Sequence, residues 1–290
     1  MGGQALLLIL LSMAVVLTIV LSILSRSVTD VAISSREEEA LRAFSAAEAG
    51  VEQAIVIGTS LAETEIGNAT FTTNVSSFAE GDAEFASPIG LLGGETNTVW
   101  FMAHNEDGGL ACSAEKPCFV GRDIKICWGK EGTAGGTATT PALEVSVFYA
   151  DPAGSTNYKI ARETLDPNST RRGNNSFSVP DSGACTISGE NYAFYKTIDL
   201  STLGIPVASY STQGGLQFAR LRMFYNTDMT HPTGVSVDLA GNTLLPAQGV
   251  GIESSGKSGE ANRKISVFQG FGEIPEVFSG AVFSLGGITK

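Results

Sequence analysis

The segment from Gly251 to Ser258 has the spacing of a phosphate-binding loop. In such a loop, backbone amides surround a phosphate while the lysine and the hydroxyl engage the nucleotide and its magnesium ion. That chemistry requires a helix to begin at the lysine. Instead, Gly259 follows at once, and Arg263 to Phe268 has the composition of a strand. We therefore predict a flexible glycine turn in this segment, and we predict no cofactor.

Cysteine chemistry is the second candidate, and it rests on Cys112, Cys118, Cys127 and Cys185. An even number of cysteines in an exported domain indicates two disulfides, with three pairings available. The short spacing favours Cys112 with Cys118 and Cys127 with Cys185, and unpaired buried thiols are the alternative. Zinc is not predicted, because the sequence has no CxxC pair and its two histidines lack ligand spacing.

Neither histidine lies in a sequence that favours catalysis. Nucleophilic catalysis needs a base held beside a serine or a cysteine, whereas His231 lies in a turn before a proline and His104 leads into a turn that begins at Asn105. Glu106 and Asp107 in that turn offer oxygen ligands to calcium, but the spaced acidic positions of a calcium loop are absent. We predict a solvated turn, no metal site and no enzymatic activity.

Charge and composition disfavour one class of partner. The 290 residues include 30 Asp and Glu against 18 Lys and Arg, which gives a formal net charge of -12. Nonspecific binding to a phosphate backbone needs clustered basic side chains, so nucleic acid is not predicted as a partner. The 34 glycines and the low share of charged residues, 17%, are typical of an exported β-rich protein with many turns.

An apolar segment at the N-terminus is the first element along the chain. From Ala5 to Leu24, twenty residues carry no charge, and roughly 20 apolar residues are what a helix needs to cross a bilayer. A cleaved signal peptide is the alternative, but the first four residues lack the usual basic side chains. The positions predicted to lie in a membrane or filament are Ala5, Leu6, Leu7, Leu8, Ile9, Leu10, Leu11, Val15, Val16, Leu17, Ile19, Val20, Leu21 and Leu24.

The helix is predicted to continue well beyond the apolar segment. No proline occurs from Arg26 to Ile57, and Gly58 is a suitable terminator, so the sequence indicates one helix of roughly 50 residues, or about 80 Å. Successive residues of a helix are about 100° apart, which places four apolar side chains on one stripe. We predict that this stripe packs against a head domain through Leu41, Phe44, Val51 and Ile55.

Three stretches of this helix resemble the N-terminal helix of type IV pilin-like minor pilins. They are Gly3 to Leu11, Ser35 to Phe44, and Ala46 to Glu52 with its Ala-Ala-Glu-Ala-Gly step. The resemblance implies a type IV pilus or a related secretion machine, in which apolar helices bundle in a filament and globular heads face outward. The implied partners are other pilin-like subunits, through the helix, and the membrane, while the ligand of the head is unknown.

The same resemblance implies processing at Gly2 or Gly3. A cut after Gly3 places Leu8 at the fifth position, where major pilins of this kind carry a glutamate. The missing glutamate therefore implies a minor or initiating subunit, a pseudopilin or simply a membrane-anchored relative, in place of a major pilin.

A β-rich head is predicted to follow the helix. Runs of β-branched and aromatic residues indicate strands at 98–103, 124–128, 143–149, 192–198, 216–225, 235–239 and 265–268. Between Phe218 and Tyr225, apolar residues alternate with Arg220 and Arg222, which is typical of an antiparallel strand with one buried face. Gly, Ser and Asn indicate surface loops at 129–140, 166–175 and 249–259.

The predicted fold is α+β: a long N-terminal helix that spans a membrane or lies in a filament, then a mainly antiparallel, sandwich-like head. We predict three regions, with the helix at 1–58, a linker or peripheral hairpins at 59–97, and the extracytoplasmic head at 98–290. Cys127 to Gly129, Pro141 to Val145 and Ala261 to Ile265 resemble the head of pilin-like proteins from candidate-phylum bacteria. That second resemblance implies no known activity.

The leading functional hypothesis is a structural or adhesive subunit in the bacterial cell membrane and at the cell surface, anchored by its helix. The alternative is a membrane-anchored extracellular carbohydrate-binding protein or hydrolase, which a deep cleft with converging carboxylates would favour. A third hypothesis is a solitary anchored surface protein outside any pilus.

Overall fold

The computed structural model describes residues 2–105 and 108–273, with side chains of the N-terminal helix from Leu7 onward. The elements in this part of the chain are α1 (Gly2–Ile57), β1 (Leu61–Ile66), β2 (Ala69–Phe78), β3 (Glu84–Ala86), β4 (Thr96–Trp100), β5 (Asp123–Lys130), β6 (Ala142–Ala150), β7 (Tyr158–Leu165), α2 (Ser169–Asn175), β8 (Cys185–Ile187), β9 (Glu190–Asp199), α3 (Val207–Tyr210), β10 (Leu216–Phe224), β11 (Thr233–Ser236), β12 (Gly249–Ser258) and β13 (Ala261–Gly270). One long helix thus precedes antiparallel sheets. The prediction of an α+β fold with a long N-terminal helix and a β-rich head is confirmed.

Helix α1 runs without a break through the apolar segment and the charged segment behind it, over 56 residues. Gly58 follows its last residue, with φ +77° and an N–H that donates to the Ala54 carbonyl at 2.8 Å. Glycine adopts this left-handed conformation at helix ends without the steric cost of a Cβ. The predicted end of the helix is confirmed.

The chain forms two compact units. The first unit comprises the described residues up to Ser76 together with Gly251–Val267, and the second comprises Ser77–Val250 and the described residues from Phe268. The domain boundaries predicted from the sequence at residues 58 and 97 stay a prediction.

The first unit combines α1 with a four-stranded sheet in the order β1-β2-β12-β13. β1 and β2 form an antiparallel hairpin in which Ile66 lies opposite Ala69. β12 and β13 are joined by a turn of two residues, Gly259 and Glu260. Gly259 has φ +56°, as the first position of a type II′ hairpin turn requires.

The second unit contains two further sheets, ordered β4-β10-β6-β7 and β3-β11-β5-β9-β8. In the first of these, apolar residues of β10 such as Leu221 lie opposite Val145 of β6. Residues from both sheets belong to one hydrophobic core, which includes Val145, Leu221, Ile126 and Trp128. The indole of Trp128 is fully buried and donates to the Pro141 carbonyl at 3.0 Å, so its one polar group is satisfied.

Each of the seven runs predicted as strands overlaps a strand, but two predicted surface loops are wrong. Residues 249–258 form a ten-residue strand, β12, whose positions 252, 254, 256 and 258 are buried. Residues 166–175 contain helix α2, preceded by the buried Asp166 and Asn168. Both loops were predicted from composition, yet the glycines and polar residues there make close packing and buried hydrogen bonds.

Both disulfides have the pairing favoured by the sequence. Cys112 is bonded to Cys118, and Cys127 is bonded to Cys185 across 58 positions of sequence. Cys127 and Cys185 are buried with Ile187 and Tyr192 in a small apolar cluster of the second unit. Disulfides of this kind belong to oxidising compartments.

Candidate functional site

The N-terminal part of α1 exposes apolar side chains on all sides. Of the predicted membrane or filament positions, those from Leu7 to Leu24 are between 46% and 66% exposed, and the side chains of Ala5 and Leu6 lie outside the described part. The hydroxyls of Ser12 and Thr18 donate to carbonyls one turn back, so they do not need water. By length and composition, the helix contains a segment able to cross a membrane.

The C-terminal part of α1 has a buried face made of small residues. Ala43, Ala46, Ala47, Gly50 and Ala54 are all buried. We call these five residues the small-residue face. Their spacing of three and four places them on one side of the helix, turned toward the sheet of the first unit.

Glycines on both partners explain why this face contains only small residues. A Cβ on Gly256 of β12 would collide with the Ala43 carbonyl oxygen and the Ala47 nitrogen. A Cβ on Gly50 would lie 2.7 Å from Phe71 and 2.9 Å from Thr73 on β2. The helix backbone and the strand backbone therefore approach so closely that a side chain has no room between them.

This geometry overturns the predicted packing stripe. Leu41, Phe44 and Ile55 are 68%, 44% and 43% exposed, and of the four predicted residues only Val51 is buried. The hydrophobic periodicity selected the largest apolar side chains, whereas the close approach at Gly256 admits only alanine and glycine. We call Leu41, Phe44 and Ile55 the outer ridge.

Two grooves in the first unit flank the helix at Leu41. One, of about 470 Å³, lies between the helix and the turn from Ile66 to Ala69. The other, of about 360 Å³, is lined by Phe44 and by Arg263 of β13. Leu41 and Phe44 of the outer ridge therefore lie beside concave surfaces.

The phosphate-loop pattern is accounted for by the same packing. Its segment is the extended strand β12 and not a loop that leads into a helix, so the prediction of a flexible turn is wrong. Gly256 faces α1, and the Ser258 hydroxyl donates to the Asn68 carbonyl at 3.4 Å. The pattern therefore reflects close helix–strand contact.

The two histidines lie in the second unit in different surroundings. His104 stacks on Phe271 with ring centres 3.8 Å apart and meets the Trp100 ring edge-on. Burial and the nearby Lys116 ammonium lower the pKa of His104. Burial also lowers the pKa of His231, whose Nδ1 accepts the Lys130 N–H at 3.0 Å. Both rings are thus favoured in their neutral form at neutral pH.

The predicted turn after His104 is only partly described. Glu106 and Asp107 lie outside the described residues, and the Asn105 N–H donates to the Gly109 carbonyl at 2.8 Å. Among the residues that the structure describes, no group of three or more His, Cys, Asp or Glu side chains is placed to hold a metal ion.

A cleft of about 520 Å³ lies in the second unit, and its lining includes Ser188, Glu190 and Tyr192. Burial raises the pKa of Tyr192 to about 12, with Glu190 and Glu84 adding to the effect. The protonated phenol donates to the Thr233 carbonyl at 3.4 Å. Among the described lining residues, Glu190 is the one carboxylate, so this cleft does not present a converging pair.

A buried ion pair in the second unit was missed by the sequence analysis. Asp166 is fully buried and accepts from Arg171 at 2.7 and 2.8 Å, from the Asn168 N–H at 2.8 Å and from Asn175 at 2.8 Å. Burial opposes ionisation, but these hydrogen bonds outweigh it and hold the pKa of Asp166 below its usual value. Arg171 also lies over the Tyr225 ring, 3.8 Å from its centre. Nothing but the Asp-Pro-Asn-Ser-Thr capping pattern signals this cluster in the sequence.

The helix α1, with its apolar N-terminal part, its small-residue face and its outer ridge, is therefore the candidate functional site. It holds most of the sequence-predicted site residues, while the four cysteines form structural disulfides in the second unit. Comparisons with protein-family models, with curated proteins and with solved structures find no match to this chain.

Proposed function

We propose that this chain is a structural or adhesive subunit of the type IV pilin-like kind, a minor pilin or pseudopilin that stands at the cell surface on its N-terminal helix. The observation that carries the proposal is the division of α1 into two faces. The small-residue face packs within the first unit, and the outer ridge stays exposed. A helix that served only as an anchor has no need of a large apolar ridge beyond its membrane segment.

The exposed apolar surface requires a partner. Removing apolar surface from water contributes roughly 25 cal/mol per Å², and the large apolar side chains from Leu7 to Leu24 are at least 46% exposed. In a membrane, lipid covers this segment. In the proposed filament, the helices of other copies cover both this segment and the outer ridge, so apolar packing and not catalysis supplies the binding energy.

In this proposal the head lies outside the cytoplasm. Two disulfides support an oxidising environment, and the two sheets of the second unit, which share one core, support a sandwich-like arrangement. We propose that the head presents adhesive or structural surface outside the cell and carries out no reaction.

The test is the mass of the native N-terminus, measured on protein recovered from sheared surface filaments and, separately, from membranes. The proposal expects the chain in the sheared fraction, with its N-terminus at Gly3 or Gln4 after cleavage. A variant without residues 1–25 is the control and is expected as a soluble head that is absent from both fractions. A full-length chain that is soluble without detergent or filament contradicts the proposal.

A further inference from the structure

The sheet of the first unit ends in two open edge strands. In the order β1-β2-β12-β13, β1 and β13 each have a strand on one side only. Among the described residues, neither Leu61–Ile66 nor Ala261–Val267 makes backbone hydrogen bonds to a further strand. An open edge offers a row of N–H and C=O groups to any strand of matching chemistry.

The groups that point outward from β13 follow from its turn. A two-residue hairpin turn makes Ser258 and Ala261 the first hydrogen-bonded pair. The N–H and C=O groups then alternate along the strand, so those of Lys264 and Ser266 face the open edge. Neither residue's N–H is needed by the pairing with β12.

The side-chain charges of the two edges are opposite. β1 carries the exposed Glu63 and Glu65, and β13 carries the exposed Arg263 and Lys264. Lys264 also pairs with Glu253 of β12 in the same copy at 2.7 Å, but both side chains are at least half exposed, so solvent screens that pair. Two β13 edges repel each other, as do two β1 edges, whereas a β1 edge attracts a β13 edge. Basic side chains on an edge strand usually prevent pairing. Here they oppose the pairing of two β13 edges, but they favour the pairing of a β13 edge with a β1 edge.

The other edge strands among the described residues are β3, β4, β7 and β8 of the second unit. β7, with eight residues, is closed at one end, where the Ser178 N–H donates to the Thr164 carbonyl at 2.8 Å and the Ser178 carbonyl accepts the Asp166 N–H at 3.0 Å. In the second unit, the Gln248 side chain bonds both the N–H and the C=O of Trp100 on the edge strand β4, at 2.8 and 2.9 Å. The edge strands β3 and β8 have three residues each. β1 and β13, with six and ten residues, are longer than β3 and β8, and they are the pair of edges that belong to one sheet and carry charges of opposite sign. β1 has a register irregularity between Leu61 and Thr64.

We propose that β1 of one copy adds to β13 of a second copy and extends the sheet from one first unit into the next. The contact joins two different edges, so each added copy leaves one edge of each kind free, and the association is open-ended. The inference rests on the proposed function, because copies must stand side by side for their edges to meet. It adds a charge-matched contact between heads to the contact between helices.

Zero-length cross-linking of the assembled full-length chain tests this contact. A carbodiimide joins a lysine to a carboxylate in direct contact, and equal amounts of ¹⁴N and ¹⁵N protein distinguish links between copies from links within one. We expect mixed-isotope links between Lys264 and Glu63 or Glu65. Glu65→Lys alone lowers their yield roughly tenfold, and combining it with Lys264→Glu restores association, measured by sedimentation.

A proline variant separates strand addition from simple charge attraction. Ser266→Pro removes an outward N–H without removing a bond to β12, so we expect it to lower the yield of the Lys264 links, while Ser266→Ala leaves it unchanged. Copies that sediment as assemblies without these mixed-isotope links overturn the inference and leave the proposed function standing. Chains that show no self-association in membrane or filament overturn both.

Discussion

Each of the two units of this protein is stabilised internally by a different kind of contact. In the first unit, α1 meets its sheet through alanine and glycine, with backbone against backbone at Gly256. In the second unit, large side chains such as Trp128, Phe101 and Phe119 fill the core, and two disulfides and a buried ion pair reinforce it. In a core of large side chains, the apolar surface of those side chains is buried inside the unit. A close-approach interface leaves the large apolar residues of its helix free for other contacts.

The largest expected effect concerns the long disulfide of the second unit. Replacing Cys127 and Cys185 by serine should lower the free energy of unfolding by about 4 kcal/mol, because a crosslink across 58 positions removes much entropy from the unfolded chain. The same change at Cys112 and Cys118 should cost about 2 kcal/mol, since their loop is short. Urea unfolding followed by tryptophan fluorescence measures both, because both tryptophans lie in the second unit. Equal losses from the two pairs would contradict this expectation.

The buried ion pair should produce the next largest effect. Asp166→Asn leaves Arg171 without its buried counter-charge and should cost about 3 kcal/mol at neutral pH. The pKa of Asp166 is lowered in the folded state, so its stabilisation is complete above the unfolded pKa and is lost as pH falls through the folded value. The free energy of unfolding, measured from pH 7 to pH 2, should therefore decrease less steeply in the variant than in the unchanged protein.

Asp199→Asn is the matched control for that experiment. Asp199 pairs with Arg122, whose side chain is 58% exposed, so solvent screens this pair and we expect a much smaller loss of stability than at Asp166. If both variants lose the same stability at pH 7, burial does not distinguish the two pairs.

The small-residue face gives a smaller but more diagnostic effect. Gly256→Ala places a Cβ against the backbone of Ala43 and Ala47 and should destabilise the first unit by about 2 kcal/mol. Gly251→Ala on the same strand is the control, because its Cβ would have only ordinary contacts, 3.5 Å and more from Ser76. Hydrogen exchange of the β12 and β13 amides measures both changes. Similar protection in the two variants would argue against close packing at Gly256.

The smallest effect on stability is expected at the outer ridge. Leu41→Ser and Phe44→Ser should change the free energy of unfolding of the first unit by less than about 0.5 kcal/mol, because both side chains are exposed. Association of full-length copies should nevertheless weaken, as sedimentation in detergent can show. A large loss of stability from either substitution would mean that the ridge is part of the fold.

Much of the fold could be predicted from local sequence. Helix α1 and its end were predicted from the apolar segment and from the absence of proline before Gly58, and β10 was predicted from its alternating residues. These predictions succeed because helix length and strand burial depend on the segment itself. The favoured disulfide pairing also proved correct.

The packing of the site could not be predicted in the same way. Periodicity ranks residues by apolar size, so it selected Leu41 and Phe44, while the residue that decides the packing, Gly256, lies more than two hundred positions away in sequence. The same distance hid the role of the glycines in β12, which composition alone assigns to a turn. Asp166 was assigned to a loop, because its burial depends on partners that the strand and loop patterns do not reveal.

The central claim is that α1 packs within the first unit by its small residues and turns its large apolar residues outward. Single cysteines at positions 41, 43, 44, 47, 54 and 55 of the full-length chain in detergent, labelled with a maleimide under non-reducing conditions, test it directly. Because positions 41, 44 and 55 are exposed and positions 43, 47 and 54 are buried, we expect fast labelling at the first three and slow labelling at the other three. The reverse pattern, with slow labelling at 41, 44 and 55, would support the packing stripe predicted from the sequence and contradict the claim.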